Sequence, residues 1–405
     1  MRDERVATAG RSPRRPRAVW AVAVAAAAVA AWLLVRAVTP SLGGGDRLVY
    51  RAMAEHQRRF TQAPFGYRVL VPTAVHGAMR IGGLDAQPAY GLVNAALFAA
   101  FWCAFAAWAV RFERIPRATT ALVLGLYALS YPAVYYAHNV MHVGPGEQLV
   151  LLLGLIAIRR GSFAGLAAAV FVGQFARETT AALAPVWLAA RIGRVPARTW
   201  WREAALLAAA FAAPFVVLRS GLWFDAATAA EAACQAGAVT ARSERVAAWG
   251  GPYNVVMRIV DAFGGLWALA AAGVFFAAPL ERRLALLAPL LLAPFAAPLE
   301  RRLALLAPLL LAPIAVATDV TRMAAAAPVV LFFGAKFLSA LPPRAQAGLA
   351  VALAADLWLF AQGSPWTRWS RLASWLLVAA FAARRFRAGR AAAAPRSMPS
   401  GAAGA

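Results

Sequence analysis

The chain has 405 residues, of which 62% are apolar and only 14% charged, against about 25% charged in an ordinary soluble protein. Its net charge of +24 would fit a nucleic-acid partner. Yet all 41 basic residues except Lys336 are arginines, and they stand mostly at the ends of apolar blocks, the placement that holds positive charge on the cytoplasmic side of a membrane. Composition therefore excludes a nucleic-acid partner and a soluble helical protein, because the blocks are apolar on every face rather than amphipathic.

The first block, Ala18–Val38, follows a basic stretch containing Arg14 and Arg15. It is long enough to span a bilayer at about 1.5 Å per residue and lacks the short core and small-residue cleavage site of a signal peptide. It reads as an uncleaved first helix, with residues 1–17 as a disordered cytoplasmic N-terminus. A polar stretch from Pro40 to Pro72 follows, opening a long extracytoplasmic loop, 40–87, expected to contain short amphipathic helices. Within it, Tyr67–Arg80 is too short and too polar to span and fits a helix lying along the membrane surface.

Spans are then expected at Pro88–Val110 and Thr119–Tyr136, joined on the cytoplasmic side by Arg111, Arg114 and Arg117. His138, Asn139, His142 and Glu147 form a short outer loop. Leu149–Ile158 returns to Arg159-Arg160 inside, and the next two segments, Gly161–Ala176 and Ala181–Ala190, are short, as broken helices at a membrane site often are. Ala204–Leu218 goes out, a second outer loop covers 219–252, and Val255–Leu280 returns.

Phe276–Pro294 and Phe295–Pro313 are identical over 19 residues. An architectural repeat diverges, so this copy (276–313) is expected not to act as an ordinary span. Leaving one copy out restores an alternating pattern, with Leu303–Ala317, Ala324–Leu341, Ala347–Phe360 and Leu372–Ala383 as the last spans. The fold class expected is thus all-α: a polytopic transmembrane helical bundle of about 12 crossings in one domain, 18–385, with a disordered tail over 386–405. The location expected is a plasma membrane, multi-pass, with both termini cytoplasmic.

On this topology the outer side collects Asp46, Glu55, His56, Tyr67, Arg68, Arg177, Glu178, Asp319 and Arg322 among others, while the inner side collects mainly arginine. Ionisable groups near hydrocarbon are costly and are functional candidates for that reason. Asp46, after three glycines, suits either a ligand-facing turn or an N-cap for a helix starting at Arg47. Arg177 and Glu178 either pair at a hairpin tip or present an arginine to a phosphate, with Glu178 orienting it. Asp319 and Arg322 are one helical turn apart and suited to pairing. His138 and His142 lack a well-spaced third metal ligand. Cys103 and Cys234 have no neighbours suggesting a metal or redox pair. No ATP-binding Gly-Lys-Ser/Thr loop is present.

A first helix, then an outer loop with an early Asp, then Tyr67-Arg68-Val69-Leu70-Val71-Pro72 opening an amphipathic stretch, resembles bacterial membrane glycosyltransferases of the C-type (GT-C) superfamily. Arg177-Glu178-Thr179 at a hairpin tip and the Asp319–Arg322 turn look similar to features of the same group. The resemblance implies transfer of a sugar from a polyprenyl-phosphate donor to a glycan, lipid or protein acceptor on the outer face of the membrane. It implies Asp46 as general base, Arg177 and Arg322 as donor-phosphate ligands, and Glu55, His56, Tyr67, Arg68, Glu178 and Asp319 in supporting or acceptor-binding roles. It names no cofactor and no metal ligand, and leaves any need for a divalent metal open. The chain departs from many relatives, which pair two acids in the first loop, and it carries no large soluble C-terminal domain. Two other classes compete: a transporter or flippase of a lipid-linked or anionic substrate, which predicts inverted repeats not visible here, and a non-catalytic membrane scaffold.

Overall fold

A computed structural model describes residues 15–40, 47–63, 65–235, 261–276 and 327–393. Asp46, Asp319, Arg322 and nearly all of the duplicated segment lie outside the described residues. All regular structure among those described is helical. Among the described residues, four helices are long and apolar enough to cross a membrane, as expected of a membrane protein: Val19–Val38 within α1 (Arg15–Val38), α4 (Ala86–Arg111), α10 (Ala197–Arg219) and α14 (Pro343–Ala361). A fifth arises if α5 (Arg117–Ala128) and α6 (Tyr131–His138) count as one broken span.

Local chemistry sets the helix ends. The chain leaves α1 at Thr39-Pro40, where a helical conformation before proline is disfavoured and the Thr39 hydroxyl donates back to the Val35 carbonyl at 2.6 Å. The stretch expected to be one continuous span at 119–136 is instead interrupted at Leu129–Ser130, with Pro132 in the first turn of α6. The expected outer loop through Glu147 is also shorter. α7 (Gly144–Arg159) begins at Gly144, with Pro145 in its first turn, where a missing N–H costs nothing. The expected shortness of the next two helices holds: α8 (Phe163–Ala176) has 14 residues and α9 (Leu183–Arg191) nine.

The chain divides into two compact units, Met1–Arg117 with Val134–Thr240, and Ala118–Ala133 with Ala241–Ala405. No boundary inside 18–385 was apparent from sequence. In the first unit α4 packs on α1 and α7, α7 on α8, and α8 on α10. Ion pairs tie one end of these helices together. Arg159 at the end of α7 forks onto Glu113, just past α4, at 3.0 and 3.1 Å, and Arg191 holds Glu203 of α10. At the opposite end the polar stretch after α1 is a folded cap. It comprises α2 (Arg47–Glu55), a 3-10 turn at Phe65–Tyr67 and α3 (Leu70–Gly82). Tyr50, Met53, Phe60, Tyr67, Val71 and Val75 form its core with Tyr90 of α4, Leu218 of α10 and Ala232 of α11 (Ala226–Cys234).

In the second unit α12 (Leu266–Phe276) lies along α13 (Ala327–Ser339), and both α12 and α14 pack on α15 (Thr367–Ala393). Gly273 permits the close α12–α13 approach, since a Cβ there would strike the Phe333 backbone. α15 continues to Ala393, so a disordered tail does not begin at 386. Asp356, inside α14, is fully buried; it accepts from the Gly265 amide at 2.8 Å and the Ser370 hydroxyl at 3.2 Å, with Arg371 at 3.6 Å.

Candidate functional site

Beneath the cap of the first unit lies a cluster of buried charge. α8 ends at Arg177, whose extended backbone turns the chain into a 3-10 segment, Glu178–Ala182, before α9. Gly173 allows this tight return, because a Cβ there would overlap the Thr180 side chain. Fourteen residues of α8 rise only about 21 Å, against a hydrocarbon core of roughly 30 Å. α8 is thus shorter than the hydrocarbon core is thick, and Arg177 at the hairpin tip is fully buried.

Arg177 Nη1 donates to Glu147 Oε2 at 2.9 Å, and the Thr179 hydroxyl donates to Glu147 Oε1. Glu147 is itself fully buried, in the first turn of α7, where the helix dipole favours a carboxylate. Thr180 closes the turn by donating to the Arg177 carbonyl at 2.8 Å.

The second arginine comes from the cap. Arg68 follows the 3-10 turn and is 1% exposed. Its Nη1 donates to the Tyr50 phenol oxygen at 2.9 Å, and its guanidinium lies 5.1 Å from the Phe65 ring centre. The carboxylate paired with it, Glu178, is 3.6 Å away, beyond good hydrogen-bond length, and its side chain is 32% exposed. Arg68 Nε and Nη2 have no hydrogen-bond partner among the described residues. Tyr50 is oriented in turn: Tyr90 donates to its carbonyl at 2.7 Å.

Beside these sits His142, 1% exposed, with the rings of Tyr50, Tyr135 and Tyr136 at 5.4, 5.6 and 5.2 Å. Its Nδ1 accepts from the Gly144 amide at 3.1 Å, so that nitrogen is unprotonated. Asn94 of α4 donates to the carbonyls of Val140 and His142 and pins this corner. Gly144 must be glycine, since a Cβ would collide with the Tyr136 ring.

The structure thus assembles Arg68, Arg177 and Glu178 from the sequence candidates. It does not bring Glu55 to them: Glu55 pairs with Arg51 one turn back on α2, at 2.7 Å. His56 is exposed on the turn after α2. Tyr67 belongs to the cap core, donating to the Ala232 carbonyl at 2.7 Å beneath the Arg219 guanidinium. Burial raises its phenol pKa, with Arg219 opposing in part, so it acts as a neutral donor. His138 bonds to Thr39 at 2.7 Å, a different partner set from that of His142. No group of three or more His, Cys, Asp or Glu residues suited to a metal stands among the described residues.

Sequence reading passed over Tyr50, Asn94 and the role of Glu147. Glu147 carried a usable signal, because Gly-Pro-Gly-Glu places an acid in the first turn of a Pro-initiated helix. Comparisons with protein-family models, with curated proteins and with solved structures produced no match for this chain.

Proposed function

We propose that the protein is an integral membrane glycosyltransferase that takes a sugar from a polyprenyl-phosphate carrier and passes it to an envelope glycan, lipid or protein. The observation that carries this reading is the pair of buried arginines, Arg68 and Arg177, at one end of a bundle that includes membrane-length helices. A buried guanidinium with an open donor edge is a site for an oxyanion. Its position at the end of apolar helices fits an anion attached to a lipid rather than one free in water.

In this reading the cap end of the first unit faces out of the cell, and about 12 crossings with both termini inside complete the chain. Asp46, the residue directly before α2, takes the proton from the acceptor hydroxyl. The acceptor oxygen attacks the anomeric carbon, and the bond to the phosphate oxygen breaks. Charge grows on the departing lipid phosphate, where Arg68 and Arg177 stabilise it. Arg322 remains the proposed further phosphate ligand, and Asp319 its partner. No step calls for a cofactor.

The test is a glycan comparison in the host. The gene is deleted and restored as wild type, Asp46→Asn or Arg68→Gln, each at equal protein level. Envelope glycans and lipid-linked sugars are then profiled by mass spectrometry. Wild type should restore a lost sugar, and both variants should leave the sugar-loaded lipid to accumulate. Full restoration by both variants would overturn the transferase reading in favour of transport or scaffolding.

A further inference from the structure

The cap end of α10 carries a second pair of arginines, apart from the buried cluster. Ala212, Phe215, Val216 and Arg219 recur at helical spacing along one side of α10, and the three apolar members are exposed. Arg219 ends this stripe. Its guanidinium lies 3.7 Å from the Tyr67 ring centre and 5.3 Å from that of Phe215, a seat that holds a cation without neutralising it. Gly221, at φ 83°, then reverses the chain and leaves Leu222 70% exposed. A guanidinium at the end of an exposed apolar stripe is the arrangement by which arginine reaches the headgroup layer.

The other arginine comes from the cap. Arg58 stands at φ 68°, in the left-handed region where glycine is the ordinary residue. Its carbonyl accepts from the Asp225 amide at 2.8 Å, and its Nε donates to the Trp223 carbonyl at 3.1 Å. The turn that follows Arg219 thus also fixes Arg58, which is exposed. A long side chain kept at a strained backbone position points to a use for that side chain. The carboxylates of this corner are committed elsewhere. Asp225 caps α11, accepting from the Thr228 amide at 3.1 Å and its hydroxyl at 2.8 Å. Glu231 accepts from Gln235 at 2.9 Å, and Glu55 pairs with Arg51. Neither Arg58 nor Arg219 has an ion-pair partner among the described residues.

We propose that this corner is the headgroup site of an anionic phospholipid of the surrounding bilayer, held at its phosphate by Arg58 and Arg219, with an acyl chain along Phe215 and Val216. Two positive charges without a carboxylate, beside exposed hydrocarbon, complement such a lipid. A soluble anion would leave the apolar stripe uncovered, and a zwitterionic headgroup would bring its ammonium to the same two cations. The proposal needs only the membrane reading of the chain and does not rest on sugar transfer.

The full chain is purified in a nonionic detergent, and lipid adducts are counted by native mass spectrometry. Phosphatidylglycerol and phosphatidylcholine with the same acyl chains are titrated in turn. Wild type should take up one phosphatidylglycerol at least about tenfold more tightly than phosphatidylcholine. Arg58→Gln and Arg219→Gln should each lose about fivefold of that preference, and the double variant nearly all of it. Arg80→Gln removes another exposed cap arginine and should bind as wild type does. If Arg219→Gln does not fold, by thermal midpoint, the exposed Arg58→Gln decides. Equal binding of the two lipids by wild type would overturn the proposal, and so would a preference that persists in folded Arg58→Gln. An equal loss in Arg80→Gln would also overturn it, since general surface charge would then explain the effect. Two competitors test the occupant. Displacement of phosphatidylglycerol by inorganic phosphate would mean a site for soluble anions, and one-for-one displacement by synthetic farnesyl phosphoglucose would mean a site for the sugar donor. Either result would overturn the assignment to a bilayer lipid.

Discussion

Arg68 and Arg177 are both buried guanidiniums, yet they are held in opposite ways. Arg177 is bonded to Glu147, itself fixed by Thr179. Removing one member of such a pair strands the other, at a cost of about 3–5 kcal/mol. Arg177→Ala should therefore lower the thermal midpoint sharply or abolish accumulation of the protein. Arg68 has one neutral hydrogen bond and a loose contact to Glu178. Removing Arg68 strands no buried charge, because its carboxylate partner Glu178 is partly exposed, so the cost that follows removal of Arg177 does not arise. Arg68→Met should leave the thermal midpoint unchanged or raise it, while abolishing sugar transfer. Stability traded for function in this way is expected at a binding site. Equal loss of thermal stability in the two variants would show that Arg68 is merely structural. Sequence pointed to both arginines but not to this division. The partner that locks Arg177 is 30 residues away in the chain, a contact that only tertiary packing creates.

Among the elements, the cap and the short hairpin place the cluster. Amphipathic spacing announced α3, and the apolar runs announced α1, α4 and α10. The cap as a folded layer was not legible, because its core draws on Leu218 and Ala232, far along the chain. Likewise the Phe60 amide finds the Thr228 hydroxyl at 3.0 Å, and Ala63 finds Gln235 at 2.9 Å. The hairpin depends on Gly173. Gly173→Ala would push on Thr180 and displace the residues that carry Arg177 and Glu178. Overpacking of this kind costs about 1–3 kcal/mol, so we expect a lowered thermal midpoint together with weaker binding of farnesyl phosphoglucose. Wild-type binding by Gly173→Ala would mean that the tip does not position the ligand. At the other end of the same helices, exchanging the charges of Glu113 and Arg159 should restore stability that either single reversal removes, measured as thermal midpoints of the four proteins.

For the whole molecule, apolar blocks and their arginine joints announced a helical membrane protein, and the four to five membrane-length helices among the described residues agree with that. Two features were beyond sequence reading. Asp356 lay unnoticed inside an apolar block, although it is fully buried and hydrogen-bonded to Gly265 and Ser370. Asp356→Ala would leave the Gly265 amide without its acceptor, while Arg371 keeps its ion pair with Asp261, and we expect a fall in membrane-inserted protein from the lost buried hydrogen bonds. Orientation is the other. Arginine stands at both ends of the first unit, including Arg36, Arg58 and Arg219 at the cap end, so counting positive charge does not orient this unit by itself. The proposed topology is tested with Cys103 and Cys234 replaced by serine. Arg58→Cys should react with an impermeant maleimide in intact spheroplasts, and Arg194→Cys only after permeabilisation. The reverse pattern would turn the cap inward and move the donor to the cytoplasmic face.

The central claim is that this cluster serves sugar transfer from a lipid phosphate. Its most direct test is a single-turnover assay on the purified full chain in phosphatidylcholine vesicles. The donor is polyprenyl phosphate carrying a radiolabelled hexose, and extracted envelope glycan is supplied as acceptor. Wild type should move label into the glycan and release free polyprenyl phosphate. Arg68→Gln and Asp46→Asn, each folded by thermal midpoint, should do neither. Label that stays on the lipid with wild type, across every host hexose tried, would contradict the account. So would transfer that persists in both variants.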